Sequence, residues 1–377
     1  MRISVIIAVS LFLAVSAFAV TWRVEKDGSG DYTKIQDAVN ASVSGDSILI
    51  GPGRYDDLVP FETPYVSWLA CVNVPGIDLT LVGAGRDETI IGPAVPGDMS
   101  DDGWRGIVNW PMVGDLVVED LTIENLVDGV HLFPETFQIR NCRLRGCDGH
   151  AGLLFGTSDW ALIESCEFAD NWNGIRLFPP CANPVIRDCT FSSDTNTGVY
   201  SQGMSGVIVQ DCSFSDSKVY FEGGSGRVTG CSFWDSYSRL ILLSSGNHEI
   251  YDNILDGTRH SWCIHLELST TMIGSGNILR GASQQAIAML NSQVTFTGNH
   301  IFSDGDFVRA YGYYSGLVEL DFRNNYWGTS DPEEIAARIL DGHDDPAELG
   351  YVIFEPFSDV PVGNEDMSWG EIKALFK

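Results

Sequence analysis

Between Ile139 and Trp327 one short pattern returns nine times: an apolar residue, two variable positions, a Cys or Asn, one further position, then a large apolar residue. With Cys142, Cys166, Cys189, Cys212, Cys231, Asn253, Asn277, Asn299 and Asn325 as the zero position, successive copies lie 19 to 26 residues apart. Two places later stand Leu144, Phe168, Phe191, Phe214, Phe233, Leu255, Leu279, Ile301 and Trp327. Three places earlier stand Ile139, Ile163, Ile186, Val209, Val228, Ile250, Gly274, Phe296 and Phe322, and only Gly274 breaks the rule. A period of roughly 20–25 residues marks a solenoid whose units cannot bury their apolar face alone. The runs inside each unit are short, rich in β-branched and aromatic residues and bounded by Asn, Asp, Gly and Ser, which is strand and turn chemistry. Two-helix repeats usually exceed about 30 residues, and the spaced leucines of leucine-rich repeats are missing. What remains is a coil of about three strands and three bends, stacked at the strand spacing of roughly 4.8 Å.

Equivalent residues of successive coils then lie above one another. An inward Asn at a bend hydrogen-bonds to its own turn and to the Asn of the next coil, and Cys fills the same volume as a small hydrophobe. A second register runs through Gly129-Val130-His131, Gly152-Leu153-Leu154, Gly174-Ile175-Arg176 and Gly198-Val199-Tyr200. It sends the second residue inward and places His131, Leu154, Arg176 and Tyr200 in a column on the outer face. So read, the repeat resembles the right-handed parallel β-helix proteins of the pectin-lyase-like superfamily, with their stacked Asn, aliphatic and aromatic columns. The resemblance implies an all-β fold, a single-stranded right-handed parallel β-helix solenoid with short N- and C-terminal capping helices. It is specific for fold and carries no activity with it.

In chain order, Met1-Arg2, the apolar run Ile3 to Phe18 and the small-residue site Ala17-Phe18-Ala19 read as a secretory signal peptide over residues 1–19, cleaved after Ala19. A secreted product that is extracellular, periplasmic or held at the cell surface follows, and no later apolar stretch is long enough for membrane insertion. The β-helix is expected over residues 20–328, with a capping helix at about 33–42. There Thr33 and Gln36 make a capping box, and Ile35, Ala38 and Val39 give one apolar face. This opening is similar to that of pectin methylesterases, whose catalytic segments have no counterpart downstream. Two interruptions, residues 56–76 and 93–105, bring Phe61, Tyr65, Trp68 and Trp104 into loops, and Trp110 follows closely. Two readings stand for these rings: a cover for the flank of the first coils, or a sugar-stacking platform. Asn324-Asn325-Tyr326-Trp327-Gly328-Thr329 looks like the closing phrase of secreted bacterial β-helix proteins. Residues 329–377 then form a C-terminal cap and tail. Asp331 as N-cap, Pro332 and Glu334 start a helix that Gly342 ends, and Trp369 to Phe376 is a last amphipathic piece.

The formal charge of −29 becomes −30 once Arg2 leaves with the leader. Such a surface repels nucleic acid and anionic lipid, and it repels polyuronates unless Ca²⁺ bridges them. Nine cysteines in an exported chain would ordinarily mean disulfides. Five of them stand at the zero position, where stacking holds thiols parallel and too far apart to bond. Cys71, Cys147, Cys181 and Cys263 lie off that column and are free to pair. No Cys-x-x-Cys occurs, so neither a resident metal nor a cofactor is expected. Ca²⁺ is the alternative, in the acid-rich turns at residues 96–103 and 341–346 or, for a lyase, on Asp148 or Asp170.

Chemistry is sought first around His131, Glu135, Asp148, His150, Asp170, Trp172 and Arg176. The stretch Cys147-Asp148-Gly149-His150-Ala151-Gly152 faintly resembles the polygalacturonase pattern, with a different order and spacing and without its Asp-Asp pair. Hydrolysis needs two carboxylates about 5–10 Å apart, for which Asp148 and Asp170 qualify by register, against the reading that both are solvated bend residues. A lyase needs a base beside a neutralised carboxylate, for which His131 and Arg176 qualify, against a surface Arg176 paired with an acid. The candidate catalytic set is therefore Asp148, Asp170, His131 and Arg176. The candidate substrate-binding set is Trp68, Trp104, Trp110, Trp172 and His150. No complete catalytic set is visible. The reading is therefore a non-catalytic exported β-helix that binds a polysaccharide or cell-surface glycan, or serves a cell-surface or envelope assembly. The alternative is a polysaccharide lyase or glycoside hydrolase.

Overall fold

Immediately before each zero position stands Asn141, Ser165, Asp188, Asp211, Gly230, Asp252, Gly276, Gly298 or Asn324, and all nine have φ between 48° and 70°. Side chains with a bulky Cβ avoid this left-handed region, whereas Gly, Asn and Asp enter it most readily. One such residue per turn bends the chain at the same place in every coil. The computed structural model describes residues 19–63, 67–100, 103–109, 113–156, 159–179, 181–234, 239–258, 262–314, 316–345 and 347–361. Residues 1–18 of the expected leader, Trp110 and the amphipathic piece expected at 369–376 lie outside the described residues.

The strands stack into three faces of an all-β solenoid, the parallel β-helix. The first face holds Asp128–Leu132, Ala151–Phe155, Asn173–Leu177, Thr197–Gln202 and Val219–Glu222, and the second holds Thr136–Arg140, Trp160–Glu164, Val185–Arg187, Val207–Gln210 and Ser225–Thr229. Both belong to one 25-stranded sheet, and in later coils Arg239–Tyr251 and Trp262–Ser275 run through both faces without a break. The third face is an 11-stranded sheet of mostly three-residue strands such as Glu167–Ala169 and Thr190–Ser192. Pairing between coils is parallel and in register, as in Leu144 against Phe168 and Phe168 against Phe191. The one antiparallel pair among the described strands is the hairpin of Val59–Glu62 with Ser67–Val74, which projects at the start of the first face.

Inside, Phe168, Phe191, Phe214 and Phe233 stack at centroid distances of 4.9, 4.6 and 4.5 Å with planes within 6° of parallel. All nine zero-position side chains are buried. Each amide of the upper coils serves two neighbours. Asn277 Oδ1 accepts from Asn253 N at 3.1 Å and Asn253 Nδ2 at 2.9 Å, while Asn277 Nδ2 donates to Ile250 O at 2.8 Å. The thiols of the lower coils donate to the equivalent carbonyl, Cys166 to Ile139 O at 3.6 Å and Cys189 to Ile163 O at 3.7 Å. Cys and Asn are thus interchangeable because both send a donor to the same backbone oxygen one coil away. All nine cysteines are free and buried, including the four off the column.

A neighbouring buried column is polar as well. Cys147 N donates to Asn171 Oδ1 at 3.0 Å, Asn171 N and Nδ2 donate to Asp194 Oδ1 at 3.2 and 3.1 Å, and Ser217 Oγ reaches Asp194 Oδ2 at 3.5 Å. No cation faces Asp194 among these partners. Burial therefore pushes its carboxyl well above the usual range, outweighing the hydrogen bonds from Asn171 and Ser217.

Both caps differ from the sequence reading in detail. Helix α1 spans Ile35–Ala41, with Lys34 at its N-cap and no side-chain cap bond, so the Thr33/Gln36 capping box does not form. Gln36 faces the solenoid instead. Its Oε1 accepts from Asn73 N at 2.7 Å and its Nε2 donates to Asn73 O at 3.0 Å. Helix α2 is only Pro332–Ala336, with Asp331 Oδ1 accepting from Glu333 N at 2.9 Å as expected of an N-cap. It stops before Gly342 because Ile339–Leu340 is a strand paired with Val308 and Arg309, and sheet pairing wins over helical spacing there.

Two stability measurements follow from the buried columns. Asn277→Ala leaves the amides of Asn253 without their acceptor and is expected to cost about 2–4 kcal/mol in urea unfolding, whereas Asn277→Cys costs less. Asp194 has a raised folded pKa, so its favourable contribution is complete below its unfolded pKa of about 4 and is lost as pH rises through the folded value. Asp194→Asn is expected to remove that loss. Its melting temperature should exceed the parent's at pH 7–8 and match it near pH 4.

Candidate functional site

The outer column of the first face continues through the chain in strict register. Val108, His131, Leu154, Arg176, Tyr200, Tyr220, Leu242, His265, Ala288 and Arg309 follow one another coil by coil. Two residues before each of the early members stands Gly106, Gly129, Gly152, Gly174 or Gly198. A Cβ at Gly106 would lie 2.1 Å from the carbonyl oxygen of Gly129, so the backbones approach too closely there for any side chain.

At the lower end of the strip, polar groups converge on Asp128, which is fully buried. His131 Nδ1 lies 3.0 Å from Asp128 Oδ2, Arg105 Nε 3.4 Å from the same oxygen, and His150 Nδ1 3.5 Å from Oδ1. Arg105, itself buried, also donates from Nη1 to Gly103 O at 2.7 Å. Burial alone would raise the Asp128 carboxyl, but the hydrogen bonds and charges of His131 and His150 overcome it and hold the group well below the carboxylate range. An ionised Asp128 only accepts, so His131 carries its proton on Nδ1 and turns Nε2 away from the carboxylate. The hairpin closes this cluster from above. Trp68 stacks on the Arg105 guanidinium at 3.7 Å from ring centre to Cζ, lies 5.0 Å from the His131 ring, and stacks on Phe61 at 5.6 Å.

The residues singled out from the sequence therefore divide. His131, His150 and Trp68 meet around Asp128. Arg176 lies two coils above His131 with Leu154 between them. It is not ion-paired among the described residues but rests on the rings of Phe178 and Tyr200 at 4.6 and 5.5 Å. Asp148 and Asp170 are exposed bend residues that do not share a register. Asp170 at φ 56° stacks with Asn125, Gly146 and Ser193, and Asp148 stands two places beyond that column. Trp172 is an exposed bend residue. Trp104 is half-buried and covered by its own loop, since a Cβ on Gly97 would sit 2.3 Å from its ring. In the turn at 341–345, Asp341 accepts from His343 N at 2.8 Å and Val352 N at 2.7 Å, so both carboxylate oxygens hold the fold there.

The family described as "right handed beta helix region" matches residues 108–227 and 152–326, which is more than half of the chain. The chain belongs to this right-handed β-helix family. Its fold is the right-handed parallel β-helix. No curated protein matches it. Solved structures that resemble this β-helix include an α-1,3-glucanase catalytic unit from Streptomyces thermodiastaticus, at 12% identity and TM-score 0.46 over 88% of this chain and 67% of that one. A mannuronic acid specific polysaccharide lyase from human gut microbiota shows 10% identity and TM-score 0.47 over 89% and 91%. Tailspike protein 3 of bacteriophage CBA120 shows 13% identity and TM-score 0.49 over 88% and 60%.

The β-helix also carries functional candidates that the sequence reading missed. Arg105 and Asp128 stand directly before Gly106 and Gly129, so aligning the glycines one coil further back would have set opposite charges in adjacent coils. Higher on the strip, Tyr200 Oη hydrogen-bonds to the Glu222 carboxylate, and His265 Nε2 lies 3.2 Å from Tyr311 Oη. Trp262 stacks on His265 at 5.4 Å and donates from Nε1 to Gln285 Oε1 at 2.7 Å.

Because the Asp128 pKa is depressed on folding, its stabilising contribution is complete above the unfolded value of about 4 and is lost as pH falls below that. Asp128→Asn is expected to cost about 3–5 kcal/mol at pH 7 by removing the buried carboxylate that faces Arg105, His131 and His150. Chemical unfolding at pH 3 should show a smaller penalty.

Proposed function

We propose that this β-helix is an exported protein that binds a glycan along the outer strip of its first face, at a cell surface or in an envelope assembly, without turning it over. The observation that carries the reading is the run of rings and hydrogen-bonding groups from Trp68 and His131 through Tyr200 and Tyr220 to Trp262, His265 and Tyr311. Six coils separate His131 from His265, which at about 4.8 Å each is about 29 Å. That length suits an extended oligosaccharide rather than a small molecule, and rings on a rigid sheet supply stacking surface at little entropic cost. The leader at residues 1–19 supports export, and the acidic surface argues against nucleic acid as partner. No helix among the described residues is long and apolar enough to cross a membrane.

A second reading rests on the Asp128–His131 pair. A histidine whose Nδ1–H is held by a buried carboxylate presents Nε2 as a base, the arrangement needed to remove a proton in β-elimination or to activate water. The reading is then a polysaccharide lyase or hydrolase with His131 as the proton acceptor.

One experiment separates them: a glycan array run beside reducing-end and unsaturated-product assays, with and without Ca²⁺. Binding without products supports the first reading, and Tyr220→Ala should then weaken it roughly 5–10-fold, as for the loss of one stacking ring. Products that disappear in His131→Asn, with the thermal midpoint unchanged, establish the second. Neither binding nor products on any glycan would overturn both.

A further inference from the structure

The chain is strongly acidic, yet its cations are distributed unevenly. On the second and third faces they alternate with carboxylates. Arg140 lies 3.0 Å from Glu119, Arg143 2.9 Å from Glu167, and Arg280 2.7 Å from Asp256. On the upper half of the first face Lys218, Arg239 and Arg309 form no ion pair with any described residue, and no hydrogen-bond partner reaches the buried Nε of Arg239. Arg239 instead lies over the Trp262 ring at 5.1 Å, and Arg309 over Tyr311 at 5.3 Å.

The two ends of the strip invite direct comparison. Arg239 occupies the column that Arg105 occupies below, three residues before the outer column in each case. Each arginine lies against a tryptophan. In the lower coil the next member of that column is Asp128, which neutralises Arg105; in the upper coil it is Trp262, which does not neutralise Arg239. By register Lys218 stands one coil below Leu240, the chain neighbour of Arg239, and His265 stacks on the Trp262 ring that Arg239 overlies. Burial first, and then the Arg239 charge, depresses both Lys218 and His265, the His265 imidazole to about 4. Of the acids on this part of the face, Glu222 and Glu267 lie along the opposite edge, two residues after the outer column, with Glu222 engaged by Tyr200, while Asp306 stands in the Arg239 column two coils above Trp262 and accepts from Gln285 Nε2 at 3.1 Å.

We propose that Lys218, Arg239 and Trp262 form a subsite for an anionic sugar unit, its carboxylate or sulfate held by the two cations and its ring stacked on the indole. The inference rests on the glycan-binding reading and sharpens it: the ligand is an acidic glycan, although the protein as a whole is acidic. Electrostatic repulsion at long range is overcome only where unmatched cations stand, so recognition is local and centred on this end of the strip, with Arg176 the unmatched cation three coils below Leu242.

The test is affinity electrophoresis and calorimetry of the full-length protein with polygalacturonate, dextran sulfate and neutral amylose, at low and high salt. Tight binding to one of the charged polymers is expected, weakening with salt and falling at least 10-fold in Arg239→Gln and in Lys218→Gln. Arg239→Lys should restore part of it. Arg227→Gln, which removes an arginine paired with Glu249 on the second face, should change nothing. Whether polygalacturonate or dextran sulfate binds identifies the anion as carboxylate or sulfate. Equal affinity for amylose, or charged-polymer binding that survives both substitutions in variants with the parent's melting temperature, overturns the subsite while leaving glycan binding intact. Failure to bind any glycan in this panel or on the array overturns both.

Discussion

Parallel stacking at one strand spacing obliges every buried polar group to find its partner in the coil above or below. The constraint is severe because an unmet donor buried in the coil costs about 1–3 kcal/mol. Asn at the bend meets it with an acceptor for one neighbour and a donor for the other. Cys meets it more weakly, donating to the same carbonyl that an Asn amide would reach and, at Cys231, accepting from Cys212 N at 3.4 Å. The transition at Cys231, whose N–H donates to Asn253 Oδ1 at 2.9 Å, shows the two chemistries joined without a break in register.

The same rule organises charge. Where an arginine and a carboxylate fall in one column, each coil neutralises the next, as in the run Glu119, Arg140, Glu164 and Arg187. These exposed pairs contribute little stability individually, but they leave most cations of the second and third faces matched among the described residues, with Arg23 an exception. Where the rule acts inside the sheet, at Arg105 and Asp128, it fixes a histidine's tautomer and orientation. Where it lapses, at Arg239, it leaves charge available to something outside the chain. Site and scaffold are therefore one construction, because a functional group is defined by what the adjacent coil offers it.

The fold was legible in the sequence because the pattern depends on local steric demands: a small left-handed residue such as Asp188 or Gly276, a compact polar or thiol side chain next to it, and an apolar ring or branch two places on. The outer column at His131, Arg176 and Tyr200 was legible for the same reason. The site was only partly so. Asp128 and Arg105 carry no motif and acquire meaning only when two coils are superposed. The link between Asp148 and Asp170 failed because the bend from Arg145 to Leu153 is two residues longer than the equivalent bend from Ala169 to Ile175, which puts Asp148 two places out of register. Trp68 was read as an aromatic in a loop, whereas it stands on the strand Ser67–Val74, because nothing in its sequence shows that a hairpin forms there and folds onto Arg105.

At the first coil the repeating rule has no neighbour below to satisfy it. There the side-chain amide of Gln36 meets the backbone of Asn73 with the donor and acceptor that another peptide group would have offered. A single glutamine thus acts as a terminator. An open strand edge is a template onto which further chains can assemble, and by counterfeiting the missing peptide unit this residue closes the edge to polymerisation while α1 shields the apolar interior.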